Sequence, residues 1–125
     1  MCIRDRVRDF IYVEDVSELY MLVGELLNNY PDRLTGEIFN AGSNVPHSVK
    51  NILEMIFSKI GNLSELEEII TLMQDKKTSG EIETLLMDFE KVNKFTGWKP
   101  KHSLEQGLSK TIDWYVKYLQ EQNAL

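Results

Sequence analysis

What most constrains this chain is an alternation between two hydrophobic periods. Short runs of β-branched and aromatic residues are followed repeatedly by longer stretches in which apolar residues recur at helical spacing. Asp9 to Val13, Asp-Phe-Ile-Tyr-Val, reads as a short strand buried on both faces. Beyond it Val16, Leu19, Tyr20, Val23, Leu26 and Leu27 share one face of a helix, with Asp15 in the N-cap position and Glu18 completing a capping box. Pro31 and Gly36 bracket a loop, Glu37 to Asn40 give a second strand, and Ala41-Gly42-Ser43-Asn44 has the composition of a turn. Ser48 opens a second helix whose Val49, Ile52, Leu53, Ile56, Phe57 and Ile60 fall on one face, and Gly61 is placed to end it.

The second half repeats the pattern less clearly. Asn62 to Glu68 is acidic and irregular, Ile69 to Met73 is compatible with a third strand, and Lys76 to Gly80 form a polar loop before the strand-like Ile82 to Met87. Asp88 can cap a short helix that carries Val92 and Phe95 and stops at Gly97. After Trp98 and Pro100, Ser103 and Gln106 form another capping-box pattern, and Leu104, Leu108, Ile112, Tyr115 and Leu119 line one helical face. The alternation predicts an α/β fold in which amphipathic helices cover short parallel strands.

Composition limits what such a fold can do. The 125 residues suffice for one domain with a core of its own. An enzyme with separate cofactor and substrate lobes needs roughly 250 to 350 residues. With 14 Lys and Arg against 20 Asp and Glu, the net charge of −6 argues against a nucleic-acid partner, which would need clustered positive charge. No apolar run approaches the roughly 20 residues that span a bilayer, and no signal-peptide pattern follows Arg4 and Arg6, so no membrane partner and a cytoplasmic location are expected. The single cysteine, Cys2, cannot form an internal disulfide, and His47 and His102 read as loop residues without neighbours at metal-ligand spacing.

Self-contained catalytic motifs are missing. A dinucleotide site needs closely spaced glycines between strand and helix so that backbone amides can approach the pyrophosphate, but the seven glycines here are never closer than six positions apart. No tyrosine is followed four residues later by lysine, the spacing that would put a phenol and an ammonium on one helix face. The adjacent carboxylates Glu14 and Asp15 do not converge on one atom as an acid/base pair would, and capping explains Asp15 better.

Six ordered blocks nonetheless resemble a known family. They are Val7-Arg8-Asp9-Phe10-Ile11-Tyr12-Val13-Glu14-Asp15-Val16, Gly36 to Ser43, Ser48-Val49 leading a helix, Gly80-Glu81-Ile82 with Leu85, Leu86 and Asp88, Thr96 to Lys101, and Ser103 to Leu108 with Thr111 to Tyr115. Together they resemble the C-terminal, substrate-binding portion of the NAD-dependent sugar-nucleotide epimerases and dehydratases, the extended short-chain dehydrogenase/reductases. The nearest patterns are nucleotide-sugar 4,6-dehydratases of the GDP-mannose or CDP-glucose type, with 4-epimerases next.

The resemblance implies an α/β substrate-binding domain over residues 7–120, lacking the Rossmann glycine-rich part, with 121–125 a frayed tail. It implies a chemistry in which NAD or NADP takes hydride from C4 of a hexose and a tyrosine acts as base. The cofactor site, tyrosine and lysine belong to an N-terminal Rossmann domain, so this portion carries no catalytic residue of its own. It would position a nucleotide-sugar substrate through remote binding energy. By the same resemblance Arg8 contacts the diphosphate, Lys76 and Lys77 stand where relatives often place a second arginine, and Asn40 and Ser43 are cleft-lining candidates. Asp9, Tyr12, Asp15, Trp98, Pro100 and Trp114 fit architectural roles instead. The intact enzyme would be a homodimer, and apolar surface would be exposed where the Rossmann domain packs.

Residues 1–6 match nothing expected before the first block and read as a short read-in segment. The rival to a portion of a larger enzyme is a free-standing, non-catalytic nucleotide-sugar-binding or interaction domain.

Overall fold

A computed structural model describes residues 5–74, 80 and 82–122. The elements run β1 (Val7–Asp9), α1 (Val13–Asn29), α2 (Pro31–Leu34), β2 (Pro46–Ser48), α3 (Val49–Ile60), α4 (Leu63–Gln74), β3 (Thr84–Leu85), α5 (Glu90–Thr96) and α6 (Leu104–Glu121). The sheet has the order β2-β1-β3: β1 pairs antiparallel with β2, Arg8 facing His47, and parallel with β3, Arg8 facing Leu85. It is therefore mixed, not the all-parallel sheet expected. His47 is a strand residue whose Nδ1 lies 3.0 Å from Asn51 Oδ1, not a loop residue.

The first strand is displaced from its expected position. Pairing covers Val7–Asp9 alone, and Phe10 to Tyr12 leave the sheet to enter α1, which begins at Val13. Asp15 is consequently not an N-cap. Tyr12 holds that position without a side-chain bond, and Glu14 and Asp15 sit inside the first turn, where negative charge meets the positive end of the helix dipole. The buried face is narrower than the apolar stripe: Leu19 is buried and Val16, Val23 and Leu26 are half-buried, whereas Tyr20 is 76% exposed and Leu27 lies open as well.

Two other expected strands are absent. Glu37 to Asn40 is irregular, with no neighbouring strand among the described residues to pair its backbone. Ile69 to Met73 lies within α4, because Leu66, Ile69, Ile70 and Met73 already stand at i, i+3, i+4 and i+7, a helical stripe in which Leu66 is buried. Of the strand expected over Ile82 to Met87, only Thr84–Leu85 pairs. The loop between Pro31 and Gly36 contains the one-turn α2, its proline in the first helical turn, where a missing N–H costs nothing.

Four other expected helix-end signals are found, at Ser48, Gly61, Gly97 and the Ser103/Gln106 box. Ser48 Oγ accepts from Asn51 N and Gly61 closes α3 at φ 83°, a left-handed conformation that favours glycine. Ser103 and Gln106 complete a reciprocal capping box on α6, and Gly97 ends α5. Asp88, expected to cap α5, stands one residue before the N-cap Phe89, which makes no side-chain cap bond; from there its Oδ1 accepts from Glu90 N.

The core gathers Leu19, Val92 and Trp98, with Ile11, Leu22, Val23, Phe39, Ala41 and Phe89 packed around them. Phe89 meets Trp98 edge-on, and the indole N–H donates to Asp15 O at 3.0 Å. Apolar residues remain outside this core: Met21 and Ile38 are exposed at 77% and 80%, and Val13 is exposed too. Among the described residues no helix is long and apolar enough to cross a membrane.

Candidate functional site

Residues 7–15 organise the molecule through two aspartates and one arginine. Successive side chains of a strand leave it on opposite faces, so Arg8 points away from the face that carries Val7 and Asp9. The Asp9 carboxylate accepts from Ser43 N, Ser43 Oγ, Asn44 N at 2.8 Å and Met87 N at 3.2 Å. Burial works against its charge, but these donors outweigh burial and hold its pKa below the ordinary aspartate value. Glycine at position 42 makes the arrangement possible, since a Cβ there would fall against Asp9 Oδ2 and Met87 Cβ.

Asp15 is fully buried and gathers a different set of donors. Its Oδ2 accepts from Lys101 N and His102 N at 3.2 and 3.1 Å, and its Oδ1 lies 2.7 Å from His102 Nδ1. Burial again opposes ionisation and the hydrogen bonds from His102 and Lys101 again prevail, so the pKa is lowered. The effect is to pin the 98–103 turn onto the first turn of α1. Outward from His102, Lys110 Nζ lies 3.1 Å from Nε2, 3.1 Å from Glu14 Oε2 and 5.3 Å from the centre of the Tyr12 ring. The Lys110 hydrogen bond draws the Glu14 pKa down.

On the other face of β1 the Arg8 guanidinium is tied to backbone. Nη1 donates to Val7 O at 2.7 Å and Glu83 O at 3.1 Å, and Nη2 to Ile82 O at 2.9 Å. Three of the five guanidinium N–H donors are engaged among the described residues, so the planar group is oriented while part of its fork stays uncommitted. Lys76 and Lys77 lie outside the described residues. Ser43 is on the Asp9 side of the strand, its hydroxyl donating to Asp9 and accepting from Val45 N. Asn40 is exposed in the irregular segment before it.

A groove of about 920 Å3 runs between Phe10 to Glu14 and α6, walled by Tyr12, Leu108, Trp114 and Tyr115 with Lys110 at its edge. Neither Arg8, Asn40 nor Ser43 lines it. Trp114 stacks on Tyr118 with ring centres 5.1 Å apart and is 58% exposed, so it is a surface aromatic and not the core residue its sequence suggested. The chain of contacts through Asp15, His102 and Lys110 also escaped sequence reading, because 87 positions separate the aspartate from its imidazole.

Among the described residues no group of three or more His, Cys, Asp or Glu side chains is arranged to hold a metal. Nor do the described residues fit a dinucleotide: among them no glycine stands between a strand and the helix it leads into, and Gly61 and Gly97 both terminate helices.

The geometry has relatives. Residues 4–111 match the family model described as GDP-mannose 4,6 dehydratase. The chain is 31% identical over 120 residues to a dTDP-glucose 4,6-dehydratase of Escherichia coli, covering 90% of this chain and 30% of that protein. Among solved structures it is similar to a UDP-glucose 4-epimerase of Thermotoga maritima with UDP-glucose, at 26% identity and a TM-score of 0.63, covering 93% of this chain and 33% of that one. A dTDP-glucose 4,6-dehydratase of Bacillus anthracis in complex with NAD superposes with a TM-score of 0.67 at 24% identity, over 91% of this chain and 32% of that one. The chain thus spans about a third of the length of the relatives it matches. With a matching family model over most of its residues and the same α/β architecture, it belongs to the GDP-mannose 4,6-dehydratase family, within the extended short-chain dehydrogenase/reductase nucleotide-sugar dehydratases and epimerases.

Proposed function

We propose that this chain is the substrate-holding part of an NAD-dependent nucleotide-sugar 4,6-dehydratase or epimerase, in which residues 7–120 position the nucleotide diphosphate and carry out neither hydride nor proton transfer. The observation that carries this reading is Arg8. Its guanidinium, on the central strand of a small sheet, is fixed to the carbonyls of Val7, Ile82 and Glu83, with donors to spare among the described residues. A planar fork held in one orientation suits the paired oxygens of a diphosphate and loses little entropy on binding. Lys76 and Lys77 precede the segment that Arg8 grips, and they would add charge to the same phosphates. Asn40 is the cleft-lining candidate; Ser43 serves the site by holding Asp9 and hence the strand that carries Arg8.

The reading is supported by relatives whose names specify nucleotide sugars and by the UDP-glucose in the Thermotoga maritima structure. Exposed Tyr20, Met21 and Ile38 are the surface on which an N-terminal Rossmann domain carrying NAD would pack, in a cytoplasmic homodimeric enzyme. Amide chemical-shift mapping of this chain with dTDP, GDP, CDP and UDP tests the proposal. Binding should perturb residues 7–9 and 82–87 and leave the groove along α6 unmoved. Shifts confined to that groove, or turnover of a nucleotide sugar with added NAD, would show that the assignment of roles is wrong.

A further inference from the structure

We propose that His102 is a proton-operated latch for Lys110, deciding whether that side chain stays clamped over Tyr12 at the joint between α1 and α6. An ionised carboxylate can only accept, so the imidazole nitrogen facing Asp15 Oδ1 at 2.7 Å carries the hydrogen. The neutral ring then turns the lone pair of Nε2 toward Lys110 Nζ, 3.1 Å away, and an ammonium can only donate. In this state Lys110 has three attachments: Nε2 of His102, Oε2 of Glu14 and the face of Tyr12. Tyr12 meets the His102 ring edge-on at 4.9 Å, so the four side chains form one closed cluster.

A second proton can go only to Nε2, since Nδ1 is already protonated. The new N–H would then point at a group with no lone pair, and two positive charges would face each other across 3.1 Å. The ammonium must leave. The charged groups about the ring are Asp15 and Glu14 from α1 and Lys110 from α6, while the neighbouring Lys101 is occupied by Glu18 at 2.6 Å. Lys110 keeps its own proton throughout because its hydrogen bond to Glu14 raises its pKa. Protonation therefore releases Lys110 from Tyr12 and changes the edge of the groove that Tyr12, Glu14 and Lys110 line.

Side-chain NMR on the 125-residue chain between pH 8 and pH 5 tests the latch. At pH 8 the imidazole nitrogens of His102 should show hydrogen on Nδ1, and the Hε signals of Lys110 should be displaced upfield by the Tyr12 ring. As His102 takes up its proton, those signals should lose the ring-current shift in the same step. In His102→Gln the Lys110 signals should not move across this range. Hydrogen on Nε2 at pH 8, or Lys110 signals that stay put while His102 titrates in the wild type, would overturn the proposal without recourse to the variant.

Discussion

Asp9 and Asp15 stand six positions apart on one short segment and do the same work with different partners. Each is an acceptor hub that holds a distant loop against the entrance to α1, and each has its pKa lowered by the donors it collects. Asp9 takes its hydrogen bonds from three backbone amides and a hydroxyl, none of which titrates. Asp15 takes two backbone amides and an imidazole. The first is a fixed joint, whereas the second includes an imidazole, a group that can both donate and accept a proton. The difference also separates two parts of the molecule: Asp9 steadies the strand that bears Arg8, and Asp15 steadies the groove side, away from it.

Truncation should separate the two hubs most sharply. Asp15→Ala leaves an imidazole and two amides without their buried acceptor, and should lower unfolding free energy by about 3 to 5 kcal/mol in chemical denaturation. Asp9→Ala should cost less, about 2 to 3 kcal/mol, because water can reach the exposed Asn44 amide. Equal losses would remove the distinction drawn from burial. Next in size is Gly42→Ala, whose methyl group has no room beside Asp9 and Met87; about 2 to 3 kcal/mol should be lost. Gly107→Ala provides the contrast on the Asp15 side. Its Cβ would come within 2.9 Å of Tyr12 Cβ, but α6 gains about 1 kcal/mol of helix propensity, so the net loss should stay below that of Gly42→Ala.

The smallest effect is the pH dependence of the folded state. For a carboxylate whose pKa is lower folded than unfolded, the stabilisation is fully present above the unfolded value, near 3.9, and disappears as pH falls through the folded value. The denaturation midpoint should therefore fall as pH drops below about 4, and Asp9→Asn and Asp15→Asn should each flatten that decline. A decline of unchanged steepness in both variants would place the acid sensitivity elsewhere.

The parts of this fold legible in sequence are those settled within four or five residues. Ser48, Gly61, Gly97 and the Ser103/Gln106 box each specify a helix end by contacts to immediate neighbours, and each is found in place. Glu37 to Asn40 has strand composition, yet a strand exists only where another backbone pairs with it, and nothing local supplies one. In Ile69 to Met73 a short apolar run hid a helical stripe that becomes visible once Leu66 is counted. Asp15 shows the limit most clearly. Its position before an apolar stripe suggested a cap, but its partners Lys101 and His102 lie across the molecule and leave no trace in the neighbouring sequence.

Arg8 was identified by resemblance alone, and its backbone anchors became visible only in three dimensions. It also carries the central claim. Titration calorimetry of dTDP-glucose into wild type, Arg8→Lys and Arg8→Ala, with circular dichroism to confirm that each is folded, tests that claim most directly. Arg8→Ala should weaken binding by about tenfold or more, and Arg8→Lys, which keeps the charge but loses the fork, should fall between. Affinities for folded wild type and Arg8→Ala that agree within about twofold would contradict the assignment of Arg8 to the diphosphate.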